Sequence, residues 1–116
     1  MLPPAHRMRR GADFTLTTRN GAKVVRGRVA VYVHLTSHPD SLIGLIVGKA
    51  VGNSVVRHRV SRRLRAAVSG LVDDLPAGSR VVLRALPGAE QDAGLTEDVV
   101  HAITLASRRA GSRRVM

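Results

Sequence analysis

The 116-residue chain contains no cysteine and no tryptophan, and only one phenylalanine (Phe14) and one tyrosine (Tyr32). Without cysteine there is no disulfide framework, no thiolate zinc site and no cysteine nucleophile. No segment approaches the roughly 20 apolar residues that span a bilayer, and the first ten residues lack the apolar run of a signal peptide, so a soluble cytoplasmic protein is expected. Acidic residues are scarce: 8 Asp plus Glu stand against 19 Lys plus Arg, a net charge of +11. The histidines (His6, His34, His38, His58 and His101) are scattered, with no metal-ligand spacing. Asp73 and Asp74 are adjacent, but they fall in a Leu-Val-Asp-Asp-Leu-Pro turn, where capping is the ordinary role. With neither a carboxylate cluster for Mg²⁺ nor a histidine pair for acid and base work, the chain alone is a poor nuclease.

What the chain has in excess is positive charge, and it is unevenly placed. Residues 1–72 carry 13 basic and 2 acidic side chains, whereas residues 73–116 carry 6 of each. A one-sign field over a compact domain costs self-repulsion and serves to steer a polyanionic partner, of which nucleic acid is the commonest. All the basic residues except Lys23 and Lys49 are arginine, whose planar fork suits phosphate. At this length one core can bury roughly two-thirds of the unfolded chain's surface, so a single domain over 1–116 is expected, with flexible ends at about 1–6 and 110–116.

Patterning supplies four strands and three helices. Ala5 to Phe14 is a candidate short basic helix carrying Arg7, Arg9 and Arg10. Ala22 to Arg26 is a weak strand. Arg28 to Leu35 alternates, with Val29, Val31, Val33 and Leu35 on one face and Tyr32 on the other, which predicts a half-buried strand. Leu42 to Lys49 reads as another strand, with Gly44 and Gly48 on one face, either admitting a ligand or backbone or relieving crowding beneath a helix. Arg80 to Arg84 completes a sheet. A packing helix is expected from a Thr96 cap to Gly111, with Val99, Ala102, Ile103 and Ala106 inward.

The remaining helix begins after Gly52, with Asn53 or Ser54 as cap, and ends at Ser69-Gly70. At about 100° per residue, Val56, Val60, Leu64, Ala67, Val68 and Leu71 form an apolar stripe, while His58, Arg59, Arg62, Arg63 and Arg65 are assigned to the opposite side. Arg57 sits at the edge of the stripe. An ordinary solvated face mixes Glu with Lys, yet no acid lies between Asp40 and Asp73 to offset six basic residues. The ridge therefore reads as a binding face. Its apolar side is small Val and Ala suited to a sheet, which disfavours a membrane surface, and it offers few amides for reading DNA bases.

Lys49-Ala50-Val51-Gly52-Asn53-Ser54-Val55-Val56-Arg57-His58-Arg59-Val60-Ser61-Arg62-Arg63-Leu64-Arg65 closely resembles the signature of the bacterial ribonuclease P protein component. A basic leader ending in Asp13-Phe14, then Gly21, then a strand with Tyr32 follow the same order, and the likeness spans about Arg7 to Ala106. The family pattern has Asn where this chain has His58, Lys where it has Ser61, and often a second aromatic where it has Thr18. The resemblance implies an α+β fold: a two-layer α/β sandwich of a four-stranded mixed sheet and three helices. It further implies a left-handed βαβ crossover, as in the second domain of the fifth small-subunit ribosomal protein. It implies the protein subunit of an endoribonuclease whose catalytic RNA removes the 5′ leader of precursor tRNA, the protein having no catalytic residue. By the same likeness Asn53, Arg57, Arg59, Arg62, Arg63 and Arg65 bind the RNA subunit. Phe14, Tyr32, Lys49, His58 and Arg10 then bind the leader, with core roles as the alternative for the two rings. The implied partners are that RNA and precursor tRNA, with no membrane and no DNA; the protein holds no cofactor, and Mg²⁺ belongs to the RNA subunit. A nonenzymatic RNA-binding protein, such as a ribosomal protein, is the alternative.

Overall fold

A computed structural model describes residues 4–115. Four strands form one mixed sheet in the order β1-β2-β4-β3, where β1 is Ala22–Arg26, β2 Val29–Leu35, β3 Leu42–Ile46 and β4 Ser79–Ala85. β2 pairs antiparallel with β1 and with β4, and β3 runs parallel to β4. Helix α1 spans Gly11–Asn20, α2 Ser54–Ser69 and α3 Leu95–Val115. The fold is α+β, and α2 is the crossover between the parallel neighbours β3 and β4.

The alternation of β2 holds. Val29, Val31 and Val33 join Val81, Leu83 and Ile43 in a core that also takes Val60, Leu64 and Val68 of α2 and Val99, Ala102, Ile103 and Ala106 of α3. These α2 side chains are wholly buried, each worth roughly 1.5–3 kcal/mol. The strand is nevertheless buried on both faces rather than one. Ala30 and Tyr32 are also inaccessible, in a second cluster with Met8 and Val82 against which Phe14 of α1 packs.

Helix α1 is displaced from the expected Ala5–Phe14. Pro4–His6 forms a single 3₁₀ turn, and Arg7 bridges in parallel to Ile43, whose carbonyl accepts from the Met8 N–H at 2.8 Å. The basic leader thus runs along the open edge of β3, and its backbone donors are spent there instead of in a helix. β3 ends at Ile46, three residues short of Lys49, because Lys49–Val51 turns into a 3₁₀ helix leading to α2. α3 starts one residue before Thr96: the Asp98 N–H bonds the Gly94 carbonyl at 2.9 Å, and Asp92 Oδ1 accepts from the Gly94 N–H at 2.9 Å. It also continues through Gly111, anchored by buried Ala110. No helix among the described residues is long and apolar enough to cross a membrane.

Candidate nucleic-acid interface

Helix α2 begins as the sequence predicts. Asn53 Oδ1 accepts from the Val56 N–H at 3.0 Å, satisfying one of the orphan donors of the first turn. Gly52, at φ 155°, lies in backbone space that favours glycine, and a Cβ there would collide with Val56. Asn53 is exposed at this junction, where its side chain is already occupied as the cap.

The basic ridge divides into three environments. On one flank Arg57, His58, Ser61 and Arg65 line a groove of about 230 Å³ with Ser54 and with Val47, which follows β3. Arg57 Nε is buried there with no hydrogen-bond partner among the described residues, and no carboxylate lines the groove. On the other flank Arg59 Nη1 meets Glu90 Oε1 at 3.1 Å. Arg63 donates to the carbonyls of Ala89 (3.1 Å), Glu90 (3.0 Å) and Asp92, tying α2 to the loop ahead of α3. Arg62, between the flanks, is exposed. Arg63 therefore does not stand opposite the apolar stripe; it lies only about 20° from Val56 around the helix, and its guanidinium is committed to backbone. The wheel position was available in the sequence, whereas the carbonyl partners, 26 to 29 residues away, have no sequence signature.

The second face of the sheet carries the aromatic pair. Lys23, Tyr32, Val82 and Gly44 lie in one row across the four strands. Val82 separates Tyr32 from Gly44, because β4 lies between β2 and β3. Lys23 Nζ stands 5.6 Å from the Tyr32 ring centroid, a cation–π arrangement. At the far end of the row the Phe14 ring lies on Gly44, where any Cβ would overlap it, with Met8 beside it. Gly44 thus relieves crowding beneath a helix, while a Cβ at Gly48 would meet nothing within 4 Å.

The next row on this face, Val25, Ala30, Arg84 and Ile46, is the floor of a cleft of about 200 Å³ walled by Lys23, Tyr32, Gly48, Ala50, Val51 and Pro87. Tyr32 is 7% exposed, so it presents little beyond its margin to this cleft, and Phe14 is half-buried. Residues 47–51 border both concavities, since Val47 lines the α2 groove and Gly48, Ala50 and Val51 line the sheet cleft. Lys49 is exposed on this shared wall. Arg10 is exposed at the start of α1, where its carbonyl accepts from the Asp13 and Phe14 N–H groups. Of the five residues assigned to the leader, the structure therefore gathers Phe14 and Tyr32 on the sheet face and moves His58 to the α2 groove.

The sequence and the fold both have known relatives. A family model described as Ribonuclease P matches residues 2–106. The chain is 48% identical over 96 residues to the ribonuclease P protein component of Rhodococcus opacus, covering 77% of each sequence. With that of Mycolicibacterium gilvum it shares 41% identity over 119 residues, covering 93% of this chain and 96% of the relative. The chain belongs to the ribonuclease P protein family. Its fold superposes on the RNase P protein of Staphylococcus aureus with a TM-score of 0.77 at 21% identity, covering 88% of this chain and 95% of that one. The Thermotoga maritima RNase P protein gives 0.72 at 19% identity, covering 88% and 96%. Membership of the ribonuclease P family sets the role: the protein component of an RNA-catalysed endoribonuclease in tRNA processing. Among the described residues no group of three or more His, Asp or Glu side chains is placed to hold a metal ion.

Proposed function

We propose that this chain binds the ribonuclease P RNA subunit through the exposed arginines of α2 and the 5′ leader of precursor tRNA through the sheet cleft. The observation that carries this reading is the shared wall. Residues 47–51 separate a groove lined by Arg57, His58 and Arg65 from a cleft lined by Lys23, Tyr32 and Arg84, so two RNA segments can lie side by side. A cationic track suits a phosphate backbone, and an apolar cleft edged by a ring and two cations suits an unpaired strand whose bases are free to stack. The protein lowers the repulsion between two polyanions, and the RNA subunit with its Mg²⁺ performs the hydrolysis in the cytoplasm. Asn53 contributes by fixing the start of α2, Lys49 by charge on the shared wall, Arg10 by charge at the start of α1, and Arg63 by holding the helix against the loop at 89–92.

The test uses the reconstituted holoenzyme. Protein free of RNA leaves precursor tRNA intact, and addition of the RNA subunit restores 5′ cleavage; cleavage by RNA-free protein, after removal of contaminating nuclease, would overturn the reading. Phe14 lies on Gly44 in the adjacent row, outside the cleft lining, so Phe14→Ala tests whether the leader extends to that end of the sheet face. It is expected to weaken binding of precursor tRNA with a long leader by about 1–3 kcal/mol while sparing mature tRNA, which has no leader to stack. Tyr32 is too buried for the same change, since truncating it would cost several kcal/mol of stability. Arg84→Ala, on the exposed floor of the cleft, is the second probe and should show the same discrimination. Equal losses for the two RNAs would return the cleft to a purely structural role.

A further inference from the structure

The groove on α2 brings together side chains that the sequence pattern divides between two ligands. Ser54, Arg57, His58, Ser61 and Arg65 face one space of about 230 Å³ closed by Val47. Every polar side chain among them can donate a hydrogen bond and none is a carboxylate. Such a set is complementary to an acceptor-only anion. The exposed Arg59 and Arg62 and the half-buried Arg63 differ, because two of those three guanidiniums already have protein partners.

Resting on the assignment of α2 as an RNA-binding face, we propose that this groove seats one RNA phosphodiester and that His58 enters the contact protonated, so that RNA binding takes up a proton. A neutral imidazole donates through one nitrogen only, whereas the imidazolium donates through both and adds a charge. Histidine is the side chain that changes charge between pH 5 and 8, while a phosphodiester keeps one negative charge throughout that range. A seated phosphate places a negative charge beside the imidazole and favours its protonated form. The other element bordering the groove contributes Val47, which is uncharged, and the next charged side chain along it is the exposed Lys49. His58 is therefore the one titratable group of the groove that changes charge in this range. The sign follows: binding strengthens as pH falls and weakens as pH rises through the range in which the bound imidazolium gives up its proton.

The experiment measures affinity at one fixed salt concentration at about pH 6 and about pH 8. One arm is the full chain with the RNA subunit. The other is the assembled holoenzyme with precursor tRNA and with mature tRNA, which separates a phosphate of the RNA subunit from one of the leader. In one arm the wild-type chain should bind up to roughly tenfold tighter at the lower pH, the equivalent of one unit of ligand-linked shift. His58→Asn should bind equally at both, and the imidazole resonance of His58 should titrate at higher pH once RNA is added. An unchanged pH dependence in His58→Asn, or a pH-independent wild type, overturns the proton-linked seat while leaving α2 as an RNA-binding face. Failure of the RNA subunit to bind at either pH overturns the underlying assignment as well.

Discussion

A guanidinium on a helix can meet solvent, a carboxylate or main-chain carbonyls, and α2 offers one of each in Arg62, Arg59 and Arg63. The residue type is the same and the consequences differ. Arg63 makes charge-assisted bonds to three carbonyls of one loop, so its removal leaves those acceptors short of a donor. Arg63→Ala is expected to lower the stability of the free protein by about 2–3 kcal/mol, read as a shift of the urea midpoint. Arg62→Ala should change stability by no more than about 0.5 kcal/mol yet weaken RNA binding. Equal stability losses for the two variants would show that the carbonyl bonds of Arg63 contribute nothing net. Wheel position already sets the two arginines apart in the sequence, but the partners of Arg63 could not be read there, since a bond to a distant carbonyl depends on where the backbone passes and not on which residue is there.

At the scale of the element, legibility follows locality. The limits of α2 could be read because cap, apolar stripe and terminating glycine lie within one stretch and agree with one another. Those of α1 could not, because the preceding residues pair with Ile43 at the edge of β3, a contact some 35 positions away with no local pattern. The cleft was half legible: alternation put Tyr32 on the correct face, but only the strand order reveals that Val82 separates it from Gly44. The cap of α2 offers a way to separate folding from binding at one position. Asn53→Ala removes the acceptor for the Val56 N–H and should cost about 1 kcal/mol, visible in Tm. Asn53→Asp keeps that acceptor and favours the positive end of the helix dipole, so stability should be retained. Its added negative charge should nevertheless weaken RNA binding if RNA passes over the helix start. A stable Asp variant with undiminished affinity would confine Asn53 to capping.

Over the whole molecule, the sequence charge of +11 is not all available to a ligand. Arg26 is paired with Asp98 at 3.2 Å and Arg59 with Glu90 at 3.1 Å, while Arg63 and buried Arg80 are bonded to carbonyls. The effective binding charge is therefore smaller than composition suggests, and Glu90 stands where it competes directly with a phosphate for Arg59. The pair is partly exposed, so an incoming polyanion can displace it, at the cost of leaving Glu90 beside a phosphate. Glu90→Gln keeps the shape of the side chain, removes that repulsion and frees Arg59. Affinity for the RNA subunit should rise severalfold at low salt, and the dependence of log K on log salt should steepen by up to about one unit as one more phosphate contact forms. Arg59→Ala should abolish both gains when combined with Glu90→Gln, because the effect runs through that one guanidinium. If Glu90→Gln binds no more tightly than the wild-type chain across the salt series, Arg59 does not reach the RNA, and the binding face of α2 narrows to Arg62 and the groove of Arg57, His58 and Arg65.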